Sequence, residues 1–97
     1  MNEVTVSRNE EESRFEAFGA GALLGYIDYT IDGKVMDLPH TLVFPEFEGQ
    51  GVGSALVKQS LDMIRAMDNE MRVTPTCPFI AIWIKRHAEY HDLLAEK

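Results

Sequence analysis

Ninety-seven residues are enough for one compact domain and too few for two, because domains peak near roughly 100 to 150 residues. Hydrophobic residues make up 45% of the chain and charged ones 26%, which excludes the depleted composition of disorder. Lys and Arg number 9 against 16 Asp and Glu, and the resulting charge of −7 repels phosphate backbones and anionic lipid surfaces. Nucleic acid and membrane are therefore not expected as partners, whereas a cationic amine fits the field. Acidity for solubility alone would look the same. The lone Cys77 cannot close an internal disulfide, no apolar run reaches the roughly 18 residues of a membrane span, and the acidic start lacks the basic and apolar regions of a signal peptide. The expectation is a soluble, cytoplasmic, single-domain chain over residues 1–97, with a monomer as the simplest state.

Val4 and Val6 alternate with polar neighbours, R-N-E-E-E-S supplies a turn, and Phe15, Ala17 and Phe18 resume an apolar pattern, so two strands are expected. Gly19-Ala20-Gly21 punctuates before a β-branched and aromatic run from Leu23 to Ile31 that ends at Asp32-Gly33, a hairpin signal. The next run, Lys34 to Phe44, contains Pro39, which lacks a ladder donor and marks an interruption, a bulge or an edge. From Val52 the apolar residues recur at helical spacing through about residue 67. Met71–Thr74 predicts a short strand. Pro78 favours a helix start, so Phe79–Ile84 is expected as a buried helix, followed by a short terminal helix over Ala88–Leu94. The methionine and aromatic residues at 63, 67, 79 and 83 read as core. The fold class is α+β: an antiparallel-strand meander, a main helix, a further strand and short C-terminal helices.

Pro45-Glu46-Phe47-Glu48-Gly49-Gln50-Gly51-Val52-Gly53-Ser54-Ala55-Leu56 lies between a strand and the main helix. Glycines admit close backbone approach, and a helix N-terminus offers free N–H groups to an anion such as a pyrophosphate. A tight connection that binds nothing is the plain alternative. The P-loop pattern is excluded, because Gly53 is followed by Ser54-Ala55 and no lysine occurs before Lys58. The dinucleotide fingerprint is disfavoured, because the sixth residue from Gly49 is Ser54 and the preceding strand belongs to a meander.

E-G-Q-G-V-G-S-A-L after a strand resembles the pyrophosphate-binding motif of the GCN5-related N-acetyltransferases (GNATs), in which Arg or Gln is followed after two residues by Gly, one further residue, and Gly or Ala. With H-T-L-V-F-P-E-F before it, T-P-T-C-P-F-I after it and R-H-A-E-Y near the end, residues 3–94 look like the short single-domain branch of that superfamily. The resemblance implies a GNAT-like fold and an N-acetyltransferase that uses acetyl-CoA as co-substrate. It implies that Leu42, Val43 and Phe44 meet the pantetheine arm, and that Gly49, Gln50, Gly51, Val52, Gly53 and Ser54 meet the pyrophosphate. Three departures are visible. Glu48 stands at the first motif position in place of Arg or Gln; Leu42 stands where many members carry an acidic base; and Trp83 stands where larger relatives offer a proton-donating tyrosine.

Acetylating an amine requires loss of a proton from nitrogen, polarisation of the thioester carbonyl and a proton for the departing thiolate. His40, just before the cofactor strand, is the candidate base, with a solvent-facing histidine as the alternative. The resemblance implies that the amide of Leu42 or Val43 polarises the carbonyl. Cys77 sits at a helix start, where the dipole and free amides stabilise a thiolate; the resemblance, through the C-P-F context, implies an acid, an acetyl carrier or a site wall, and a buried small hydrophobe is the alternative. His87 and His91 bracket Glu89 in an order wrong for a zinc protease, and no metal is expected. Lys58, Lys85 and Arg86 are candidates for adenosine phosphate contacts or ordinary surface charge. The favoured function is transfer of an acetyl group, direct as the resemblance implies, from acetyl-CoA to a protein or small amine; the alternative is an acyl-CoA-binding or acidic protein-interaction module with little catalysis.

Overall fold

The computed structural model describes residues 3–95. Strands β1 (Thr5–Asn9), β2 (Arg14–Gly19), β3 (Ala22–Asp32) and β4 (Val35–Val43) form the expected meander, and a single 3₁₀ turn at Pro45–Phe47 leads to helix α1 (Val52–Met67). Strand β5 (Arg72–Thr74), helix α2 (Pro78–Lys85) and a 3₁₀ helix at Ala88–Leu93 follow. The sheet runs in the order β1-β2-β3-β4-β5, antiparallel from β1 to β4 and parallel between β4 and β5.

Side-chain alternation gives this sheet one apolar face, because successive residues of a strand point to opposite sides. Phe15, Ala17, Ile27, Met36 and Leu38 are fully buried there against Leu56, Leu61 and Ile64 of α1. Burial of such side chains stabilises by about 1.5 to 3 kcal/mol each relative to exposure. The opposite face carries Arg14, Glu16, Tyr26, Asp28, His40 and Leu42. On it Arg14 Nε bonds Glu16 at 2.7 Å while the guanidinium lies 4.3 Å from the Tyr26 ring centre.

Pro39 has its effect through a bulge. Asp28 opposes His40 and Thr30 opposes Asp37, so the single residue Tyr29 faces the pair Leu38-Pro39. One extra residue reverses alternation along the rest of the strand. Before the bulge Met36 and Leu38 point into the core; after it Thr41 and Val43 take the side facing α1, and His40 and Leu42 point away.

β5 pairs only with Val35, Met36 and Asp37. Beyond that contact the chain turns: the Cys77 N–H donates to the Leu38 carbonyl at 2.9 Å and α2 begins at Pro78. The two parallel strands therefore diverge, and among the described residues no strand pairs with this side of β4 from Thr41 to Val43.

Two expectations need correction. The segment Phe79–Ile84 is helical but not buried all round: Ile80, Trp83 and Ile84 are buried, while Phe79 is 46% and Ile82 52% exposed. Met67, the last residue of α1, is also exposed. The expected terminal helix is present as a 3₁₀ helix over Ala88–Leu93, its Tyr90 amide donating to His87 three residues back. No helix among the described residues is long and apolar enough to cross a membrane.

Candidate active site

A groove of about 490 Å³ opens where β4 and α2 part, lined by Thr41, Val43, Phe47, Glu48, Gly49, Gly51, Val52, Gly53, Ser54 and Phe79. One wall is the free edge of β4. The Phe44 N–H donates to the Leu24 carbonyl at 3.0 Å, so antiparallel alternation turns the Leu42 amide toward β3 and the Thr41 and Val43 amides toward the groove. Of the two candidate carbonyl donors, Val43 therefore faces the groove and Leu42 does not.

The far end of the groove is the start of α1. Gly49 and Gly51 hold φ angles of 83° and 80°, a left-handed conformation that a β-carbon disfavours, and Gly51 is the N-cap residue. The first helical hydrogen bond runs from Ala55 N–H to the Gly51 carbonyl at 3.1 Å, so the amides of Val52, Gly53 and Ser54 precede the ladder. No acidic residue lies in this first turn. The arrangement can hold an anion through backbone dipoles. Among the described residues no lysine or arginine lines this groove, and Glu48 does.

Cys77 sits behind the groove between two of its lining residues. It caps α2, is 7% exposed, and its thiol donates to Thr41 Oγ1 at 3.4 Å. Burial pushes this thiol up, but hydrogen bonds to the thiolate from the Thr41 hydroxyl and from the amides of Ile80, Phe79 and Thr41 outweigh it, and the balance lies below the ordinary thiol value.

His40 lies elsewhere. Its exposed ring is on the opposite face of β4, with Nδ1 3.6 Å from Asp28 Oδ2. The sequence places His40 and Thr41 side by side in the chain, and the strand separates them across the sheet. Leu42 and Phe44 also lie on that far face, where Leu42 opposes Tyr26 and the Phe44 ring meets Tyr26 edge-on at 6.3 Å. Gln50 borders a smaller neighbouring cavity with Val4, Leu24 and Phe47.

A second cavity of about 280 Å³ continues the groove along α2, lined by Ser54, Phe79, Ile82, Trp83, Arg86 and His87. Arg86 is thus the one sequence-named cation that borders it. The Trp83 Nε1–H donates to Ser54 Oγ at 2.9 Å, and the His87 ring stacks on the indole at 3.7 Å. His87 Nδ1 bonds the Trp83 carbonyl at 2.6 Å and His91 Nε2 the Ile84 carbonyl at 2.9 Å, so each of these nitrogens carries the hydrogen. Tyr90 is buried, and its hydroxyl donates to Asp62 at 2.7 Å; burial and the neighbouring carboxylate raise its pKa.

Sequence reasoning does not single out Phe47 and Phe79 as walls, or Thr41 as the partner of Cys77. A proline two residues before Phe47 and one before Phe79 signals a helix start, yet nothing local tells which side of that helix stays open.

The profile of a family described as GCN5-related N-acetyl-transferase matches residues 14–93. The chain belongs to this family. No curated protein matches the GNAT chain. Among solved structures, a GCN5-like protein from Staphylococcus aureus studied by NMR superposes with a TM-score of 0.70 at 24% identity, covering 100% of this chain and 93% of its own. At that identity the likeness is one of fold. Ard1 from Thermoplasma volcanium superposes with a TM-score of 0.57 at 25% identity, over 79% of this chain and 55% of the other. The five-stranded sheet with one main helix and short C-terminal helices is the GNAT fold.

Proposed function

We propose that this GNAT transfers an acetyl group from acetyl-CoA to an amine. The observation that carries the reading is the continuous groove from the free edge of β4 to the open amides of α1. An extended pantetheine arm, itself a chain of amides, suits the Thr41 and Val43 edge as an added strand would. Its pyrophosphate suits the amides from Gly49 to Ser54. The thioester then falls at the Thr41–Cys77 end.

In this arrangement the neutral amine attacks the thioester carbon, a groove-facing amide of β4 polarises the carbonyl, and the C–S bond breaks. The CoA thiolate takes the Cys77 proton, and the hydrogen bonds that favour the Cys77 thiolate hold the charge left behind. The proton lost by the amine restores the thiol through solvent. In this reading the amine arrives over the far face of the sheet and its proton passes through His40, which lies beside Asp28 there, to solvent. Trp83 supplies no acid, because an indole nitrogen does not release its proton in this range. An acidic surface of charge −7 suits a cationic acceptor such as a lysine side chain or a polyamine.

A second reading, an acyl-CoA-binding module that transfers slowly, is favoured by Leu42 in the place of an acidic base and by Glu48 in the groove. Calorimetric titration of the reduced protein with acetyl-CoA is expected to give saturable one-to-one binding. Release of CoA above background across small amines, lysine peptides and polyamines separates transfer from binding alone. Absence of any binding at millimolar ligand overturns both.

A further inference from the structure

Trp83 has a hydrogen bond whose polarity is fixed by chemistry. An indole nitrogen donates and cannot accept, so in the 2.9 Å contact Trp83 gives the hydrogen and Ser54 Oγ receives it. A serine hydroxyl has one hydrogen and two lone pairs, so the Ser54 hydrogen remains to be given away. Ser54 is exposed at the third position of α1, beside the amides of Val52 and Gly53, and borders both cavities. Among the described residues its hydroxyl makes no second hydrogen bond.

The indole is itself held. Trp83 is 7% exposed, its ring is parallel to that of His87 within 8°, and Tyr90 packs against it with centroids 5.2 Å apart. His87 is in turn tied back to the Trp83 carbonyl. The donor to Ser54 is therefore rigid, whereas an unassisted serine hydroxyl rotates among several acceptors. This matters because, among the described residues, no lysine or arginine lines the groove itself, Arg86 bordering only its continuation along α2, and Ser54 is the one side-chain donor lining the glycine-rich end.

We infer that Trp83 is a positioning residue for the cofactor: its N–H occupies the acceptor side of the Ser54 hydroxyl and so commits the Ser54 hydrogen to an anionic oxygen at the start of α1. The inference rests on the acetyl-CoA reading above, in which that oxygen belongs to the pyrophosphate.

Calorimetry and steady-state kinetics on a double-mutant cycle test it. Ser54→Ala is expected to weaken acetyl-CoA binding about tenfold, the scale of a hydrogen bond to a charged group. Trp83→Phe, which removes the N–H, is expected to weaken it roughly fivefold, and in the Ser54→Ala background to add less than about twofold. KM for acetyl-CoA should rise with kcat retained, and turnover of S-acetylpantetheine, which lacks the pyrophosphate, should be unchanged in all variants. Benzothienylalanine at position 83 keeps the bicyclic shape without the N–H and serves if the phenylalanine variant does not fold. Wild-type affinity in the variants at position 83, equal losses on S-acetylpantetheine, or losses that multiply in the double variant overturn the inference while leaving the cofactor reading intact. No acetyl-CoA binding by the wild type overturns both.

Discussion

Cys77 and Thr41 form the most chemically informative pair in the molecule, because one hydroxyl and several amides converge on a single sulfur. Alkylation of Cys77 by iodoacetamide should show an inflection below the ordinary thiol value of about 8.5, and Thr41→Val should move it upward by removing a donor to the thiolate. Since the fold lowers this pKa, its contribution to stability is fully present above about 8.5 and is lost as pH falls through the folded value. Urea midpoints of wild type and Cys77→Ala should accordingly converge on the acid side. As the proposed proton donor, Cys77 should also matter to turnover: Cys77→Ala should lower kcat by about 10²-fold with little change in KM for acetyl-CoA. Unchanged kcat would remove it from the chemistry. Glu48 acts in the opposite sense, placing a carboxylate in a groove that suits phosphates. Glu48→Gln should tighten acetyl-CoA binding roughly fivefold at low salt and less at high salt, the scale of about 1 kcal/mol for an exposed like-charge pair; calorimetry at two ionic strengths checks this.

Strand β4 depends on its neighbour for its place. A β-carbon added at Gly25 would stand 2.3 Å from the Leu42 carbonyl oxygen and 3.0 Å from Val43 Cα, too close without moving β4 away from β3. Gly25→Ala should therefore cost about 2 to 3 kcal/mol and weaken acetyl-CoA binding as well, because the displaced strand is a wall of the groove. A thermal melt and a titration of the same variant check both consequences. Helix α1 contains the opposite case. Ser60 is fully buried against the sheet, and among the described residues its hydroxyl has no hydrogen-bond partner. Ser60→Ala removes an unpaired buried polar group and adds helix propensity, so stability should rise by about 1 kcal/mol, or a Tm gain of roughly 4 to 8 °C. A fall in Tm would show that the hydroxyl is satisfied in solution.

At the scale of the whole molecule the charge of −7 faces a proposed co-substrate, acetyl-CoA, that is itself a polyanion. Short-range attraction by the amides of α1 then works against long-range repulsion, and only the latter is strongly screened by salt. The association rate for acetyl-CoA should rise two- to fivefold between about 20 and 200 mM salt, where a Debye length of ~10 Å at 0.1 M ends the repulsion. Stopped-flow on the single tryptophan, Trp83, reads this directly. A rate that falls with salt would mean that Arg86 and nearby cations steer the ligand despite the net charge.

The meander, the hairpin at Gly33, the main helix and the glycine turn were legible in the sequence because each rests on interactions among residues a few positions apart. Period-two alternation, the Asp32-Gly33 pair, the missing donor of Pro39 and the helical spacing after Val52 are local properties. What Pro39 would do with its missing donor was not: a bulge opposite Tyr29 sets Thr41 toward the groove and His40 away from it, and that outcome depends on the register of two strands. Phe79 and Ile82 read as core because an apolar pattern carries no information about whether a partner arrives to cover it, and the divergence of β4 and β5 leaves both exposed. The bonds that define the candidate site, Cys77 to Thr41 and Trp83 to Ser54, join residues 36 and 29 positions apart. Residue types alone determined that a thiol, an indole and a helix N-terminus were present; the packing of α2 against α1 and the open edge of β4 decided which of them meet.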